Sequence, residues 1–290
     1  MGIGSDVIEL VAQLRLEGLI RRKTEIIEIG AQQLENTFLD AADRLRRLGF
    51  LFGIDRPLPL PDANPMEVAH GDLRHLDSKA PPARHFWQWL GFEYAAIDID
   101  GSPGSIPLDL NYDRIPTQAQ GKYGLVSNFG TTEHVANQLN AFEIIHDLTA
   151  LNGLMVHRLP AQGMFNHGLV NYNFKFFWML ARSNGYKFIH ADYVQSPNFY
   201  NIPENIGSFL SSMQVMEKGY QKEFKGTDAA LLVVMQKVLD IPFVPPLDVP
   251  TGTQTNIASL KTRYWTVFDP GALQRLTKQQ ARPSAEATER

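Results

Sequence analysis

The run KTEIIEIGAQQLEN, residues 23–36, decides how the chain is read. Its centre, Ile26-Ile27-Glu28-Ile29, is a short β-branched stretch of the kind that fills a strand buried on both faces. Gly30 and Ala31 halt it without side-chain bulk, which is how a parallel strand stops at a tight turn that a ligand can approach closely.

Working outward, residues 5–20 place Ile8, Val11, Leu14, Leu16 and Leu19 near helical spacing, with Ser5 or Asp6 to cap the first turn. On the other side, residues 34–48 read as a helix with Phe38, Leu39, Ala42, Leu45 and Leu48 inward and Arg44, Arg46 and Arg47 towards the end where cations suit the dipole. The prolines of 55–65 then forbid regular structure. A polar stretch up to Pro82 carries His70, Asp72, His75 and Asp77. Nothing fixes their relative geometry, so no metal is assigned to them. Residues 83–90, ARHFWQWL, make a short aromatic helix returning to the sheet. The crossover is far longer than a βαβ unit needs, so about 49–90 is an insertion placed to cap a cleft.

Further strands follow at 93–100, 105–111, 122–128, 154–159 and 186–191, with 229–238 as the last, and helices at 132–148, 174–183 and 206–216. Strands alternating with helices predict a mostly parallel α/β sheet. The chain continues as a proline-punctuated tail from 239, whose aromatic segment 259–268 docks on the body, and the residues from about 277 fray.

Composition bounds the function. With 290 residues, 44% of them hydrophobic, the chain buries a full core, and a net charge of -4 gives no general pull towards nucleic acid or anionic lipid. There is no cysteine, which excludes thiolate chemistry and disulfides. No apolar run approaches a membrane span, so a cytoplasmic protein without membrane or nucleic-acid partners is expected.

In an open parallel sheet, ligands sit beyond the carboxyl ends of the strands, beside the point where strand order reverses. That rule gathers Gly30 to Gln33, Asp98 to Asp100, Asp109 to Asn111 and Asn128 to Glu133 into one neighbourhood. A glycine turn offers amides to an anion, an acid after the second strand suits ribose hydroxyls, and Asp109 suits an adenine amino group. Asp98 equally suits a strand-end turn, and Asp109 a turn with the following Asn.

The series EIIEIGAQQ, YAAIDIDG, IPLDLN, KYGLVSNFGTTEHV and LNGLMVHRLP resembles the ordered motifs of class I S-adenosylmethionine-dependent methyltransferases over residues 24–191, continuing to 238. The resemblance implies a Rossmann-like, seven-stranded, mostly parallel sheet with helices on both faces over 24–238. An N-terminal helix would occupy 1–23 and an extension 239–290. It also implies S-adenosyl-L-methionine as cofactor, held by Glu28, Gly30, Gln32, Asp98, Asp109, Leu110 and Asn128. Motif I is atypical, because Gln32 and Leu34 stand where the family has small residues; the Gln32 amide can bond the cofactor carboxylate instead.

The sulfonium is already reactive, so the protein aligns donor and acceptor and, for a hydroxyl or ammonium, removes a proton. The stretch GMFNHGLVNYN, residues 163–173, resembles a substrate-side stretch of some bacterial small-molecule or sugar methyltransferases. It supplies His167 as base and Asn171 and Tyr172 as substrate contacts. Glu133 and His134 are the rival catalytic pair, although residues 131–133 also suit a helix cap. Methyl transfer to oxygen or nitrogen of a small metabolite or sugar is the expected activity, with a homodimer allowed. The alternatives are a non-catalytic binding protein of the same fold and a nicotinamide-dependent oxidoreductase. The latter would want a fuller glycine turn than GAQQ.

Overall fold

The structure, a computed structural model, describes residues 2–60 except 36, 37 and 39, then 81–162 except 103, 167–201 except 195–198, and 229–280 except 270. Stretch 61–80 with its His and Asp residues, the helix expected at 206–216, and the frayed terminus after 280 lie outside these residues.

The described strands are β1 (Glu25–Ile29), β2 (Glu93–Asp98), β3 (Ser105–Pro107), β4 (Tyr123–Phe129), β5 (Thr149–Gln162), β6 (Lys187–Val194), β7 (Phe199–Asn201) and β8 (Ala229–Gln236). They form one sheet in the order β3-β2-β1-β4-β5-β8-β6-β7. Pairings from β3 through β5 are parallel, while β8 runs antiparallel between β5 and β6. The expected seven strands are present, joined by the three-residue β7 antiparallel to β6. The chain runs outward from β1 to β3 and returns to β4 on the other side of β1, so strand order reverses between β1 and β4.

Alternation along the strands sends side chains to two cores. Ile26, Leu125, Leu154 and Val156 meet α1 (Ser5–Leu16), α2 (Ala42–Leu51) and α3 (Arg84–Trp89) on one face. On the other, Ile27, Ile29, Val126 and Met155 meet α4 (Gln138–Leu148) and α5 (Phe174–Asn184). Among the described residues no helix is long and apolar enough to cross a membrane.

Local departures from the sequence reading have identifiable causes. The helix expected from residue 34 starts at Ala42, because Gln33 and Leu34 form bridges to Pro82 and Ile3. Helix α4 begins at Gln138, capped by the Asn137 side chain accepting from the Asn140 amide, after a separate 3-10 turn Thr132–His134. Strand β5 runs through Pro160, which sits where the pairing with β8 shifts register and a missing N–H is tolerated. Helix α1 has Gly4 at its cap position and no side-chain cap; Asp6 instead accepts from Arg158. Leu16, expected inward, is 71% exposed.

The described part of the crossover contributes core as well as surface. Phe86, Trp87 and Trp89 of α3 are buried, with Phe86 edge-on to Phe38. The proline-rich tail is strapped to α5: Arg182 donates to the carbonyls of Leu247 and Val249, and Asn184 exchanges hydrogen bonds with Val244. The aromatic segment docks as expected, through α6 (Ala258–Arg263) and α7 (Trp265–Phe268), with Thr266 donating to the Ser183 carbonyl; α8 (Gly271–Gln280) ends the described chain.

Candidate functional site

At the carboxyl end of β1, Gly30 takes φ +81 and donates its amide to Ile97 of β2. The next amide, Ala31, donates to Asp98 Oδ2 at 2.9 Å. Glycine is required for more than conformation: a Cβ here would stand 2.2 Å from Thr131 Oγ1. The close approach is thus made by the chain's own loop after β4. Gln32 reinforces it, donating from Nε2 to the Gly30 carbonyl and to Thr131 Oγ1, both at 3.1 Å.

Glu28, assigned to the cofactor by resemblance, is wholly buried. Its side chain points to the α3 face, where Trp87 Nε1 and Tyr94 Oη donate to it at 2.7 Å and the Gln32 amide at 3.1 Å. Burial outweighs these three donors and pushes its carboxyl up to about 7.

Asp98 is half-buried, and burial raises its carboxyl above the usual range despite the amides of Ala31 and Asp100. Backbone bonding from Leu108 to Asp98 brings the loop after β3 to the same edge. There Asp109 Oδ1 accepts from the Asn111 amide at 2.8 Å, the Asn turn visible in the sequence. Leu110 is buried, and its carbonyl accepts from Asn140 of α4. Gly30, Asp98 and Asp109 therefore converge at one sheet edge beside the switch point.

Two other assigned residues serve the scaffold. Asn128 is fully buried, donating to Thr132 Oγ1 at 2.8 Å and lying 3.3 Å from His157 Nδ1. Tyr172, expected to touch substrate, is buried with its hydroxyl 2.5 Å from Gln138 Oε1 and 3.0 Å from Thr132 Oγ1. Together they fix the 3-10 turn that follows β4. Asn171, beside them, is exposed.

That turn presents the chemistry. Glu133 is fully buried, and neither carboxylate oxygen has a hydrogen-bond partner among the described residues. Its Oε1 lies 3.5 Å from His167 Nε2 and 3.9 Å from His134 Nε2. The two imidazoles stand 5.4 Å apart, centre to centre. The loop carrying His167 is held on the turn by the Leu169 and Val170 amides, which donate to the Glu133 carbonyl. Gly168 permits this contact, since a Cβ would come 2.8 Å from Glu133 Cγ. Burial pushes Glu133 up to about 7, and burial followed by the neighbouring His167 lowers His134. The sequence presents His167 and the Glu133–His134 pair as rivals; the structure makes them one cluster. Residues 163–166 lie outside the described residues.

Sequence reasoning missed Trp87, Tyr94 and His157, which carry no local signal; it places Thr131 and Thr132 at this strand end only as capping residues. A separate cavity of about 830 Å³ lies between α2 and the 54–60 segment, lined by Leu45, Phe50, Leu58 and Trp89, and includes none of these site residues.

No family model and no curated protein matches the chain. Solved structures of similar fold include the 1,6-didemethyltoxoflavin-N1-methyltransferase of Burkholderia thailandensis with bound S-adenosylhomocysteine. It is 8% identical with a TM-score of 0.41, covering 79% of this chain and 77% of that one. A SAM-dependent methyltransferase from Archaeoglobus fulgidus is 10% identical with a TM-score of 0.38, covering 79% and 94%. The [4+2]-cyclase SpnF is 9% identical with a TM-score of 0.41, covering 80% of each chain. At these values the likeness assigns no chemistry to this chain.

Proposed function

We propose that the chain is an S-adenosylmethionine-dependent methyltransferase acting on oxygen or nitrogen of a small metabolite or sugar. The observation that carries this reading is the convergence at the switch-point edge: the Gly30–Ala31 turn bonded to Asp98, Asp109 alongside, and Glu133, His134 and His167 at the end of the neighbouring strand.

The residues present fit an adenosyl group at one end of this edge. Asp98 and Asp109, both half-buried, would hold the ribose and adenine. At the other end Gln32 lies against its own turn, so its amide would hold the carboxylate of the methionine part only by releasing Gly30 and Thr131. The cofactor supplies an electrophilic methyl group; the chain supplies alignment and a proton acceptor. Glu133, poised near 7, and the adjoining imidazoles take the proton from the acceptor hydroxyl or ammonium.

Calorimetric titration with S-adenosylhomocysteine tests the reading. One site is expected, weakened at least about tenfold by Asp98→Ala, and absence of binding overturns it. The closed Gln32 turn favours one second reading, a protein of this fold that no longer binds cofactor, and the same null titration would support it. Binding of NADH would favour a nicotinamide-dependent enzyme instead.

A further inference from the structure

We infer that Glu133, His134 and His167 form a binding site for one divalent transition-metal cation, of which Zn²⁺ is the best match. The observation is geometric. One ligand-capable atom from each residue lies within 4.8 Å of the other two, and two of the separations are 3.5 and 3.9 Å. Around a tetrahedral cation with bonds of about 2.0–2.1 Å, neighbouring ligand atoms stand roughly 3.4 Å apart. Small side-chain rotations close the difference, and His134, with half its side chain exposed, has room to make them.

The state of Glu133 supplies an independent reason. A fully buried carboxylate with no hydrogen-bond partner among the described residues is costly, and a cation bound to it would offset that cost. The two imidazoles are poor compensators as cations, because each would repel the other; as neutral rings they offer lone pairs. A cation held there would compensate the buried carboxylate.

The donor set selects the metal class. Two imidazoles and one carboxylate suit zinc or ferrous iron, whereas magnesium and calcium prefer all-oxygen shells. Three protein ligands leave at least one position for an exogenous oxygen, the arrangement of a catalytic centre. If that oxygen belongs to the methyl acceptor, the cation would orient it and lower its pKa so that its proton passes to solvent, replacing the three side chains in their role as bases. This role rests on the proposed methyl transfer; the binding of the cation does not.

The experiment uses the full untagged chain after chelator treatment, titrated with Co²⁺ as a visible probe and with Zn²⁺ in competition. One equivalent of cobalt with ligand-field bands, displaced by zinc, is expected. His134→Ala and Glu133→Gln should each weaken binding at least about tenfold. His134 is half exposed, so its variant keeps the fold, which an unchanged Tm verifies; it carries the test if Glu133→Gln fails to fold. Absence of bands, substoichiometric uptake, or binding unchanged in the folded His134→Ala variant overturns the inference. Titrating the same samples with S-adenosylhomocysteine separates the two ideas: cobalt binding without nucleoside binding retains the metal site and removes methyl transfer.

Discussion

Trp87 donates its indole N–H to Oε1 of Glu28 across 2.7 Å, joining the helix at the end of the long crossover to the acid one residue before the end of the first strand. With Tyr94 on Oε2, it makes Glu28, the acid that the resemblance gives to the cofactor, a brace beneath the Gly30 turn. The Gln32 amide on the same Oε2 carries that brace into the turn itself.

Removing the indole should therefore be felt most when Glu28 is ionised. Trp87→Phe withdraws one donor from a buried carboxylate and is expected to cost about 2 kcal/mol in urea unfolding at pH 8. At pH 5 the native carboxyl, with its pKa near 7, is protonated and the loss should be smaller. An equal loss at both pH values would show that only packing was removed.

Buried groups of opposite sign shape the pH dependence of the chelator-treated chain. Burial lowers His146 from 6.5 to about 4 and His157 to about 3; it raises Glu28 and Glu133 from 4.5 to about 7. The histidines contribute stability above 6.5 that is lost as pH falls through their folded values. The glutamates contribute stability below 4.5 that is lost as pH rises through theirs. Between 4.5 and 6.5 the opposing proton counts cancel, so a plateau is expected there. Stability should fall by roughly 3 kcal/mol on acidification from 4.5 to 3, and by roughly 1.4 kcal/mol between 6.5 and 7. Unfolding across pH 3–8 checks this, and a single maximum at pH 7 or above would contradict it.

The amino-terminal helix is pinned by Arg158, whose Nε donates to buried Asp6 at 2.7 Å and whose Nη1 lies 3.3 Å from Glu35 Oε1. Arg158→Met should destabilise by about 3 kcal/mol by leaving Asp6 unpaired. Adding Asp6→Leu should restore most of that loss. Two losses that simply add in the double mutant would rule out the coupling.

How much of this was legible depends on the range of the interaction. The β-branched run 26–29 and the acids after β2 report on their own strands, and the sequence locates both, although β2 ends at Asp98 and not at Asp100. Gln33 and Leu34 were read as helix because nothing local reveals that Ile3 and Pro82 pair with them. A buried Asn128 bonded to Thr132 and a cleft-facing asparagine look identical as letters after a strand. Glu133 and His167 read as competitors in the sequence because the whole of β5 separates them, and only its parallel pairing with β4 brings them together.

Gln32 offers the sharpest test of the proposed cofactor edge, because its side chain would have two incompatible uses. In the structure Nε2 is spent on Gly30 and Thr131. Binding of the proposed cofactor's methionine part would require it either to turn towards the ligand carboxylate or to move aside. The first use predicts that Gln32→Ala weakens S-adenosylhomocysteine about tenfold, roughly 1.4 kcal/mol, while adenosine, which lacks that carboxylate, binds as before. Loss of the two internal hydrogen bonds should also lower unfolding stability by about 1 kcal/mol. Tighter binding of both ligands by Gln32→Ala would instead identify the glutamine as a plug, since removing a competing internal contact helps any occupant regardless of its charge.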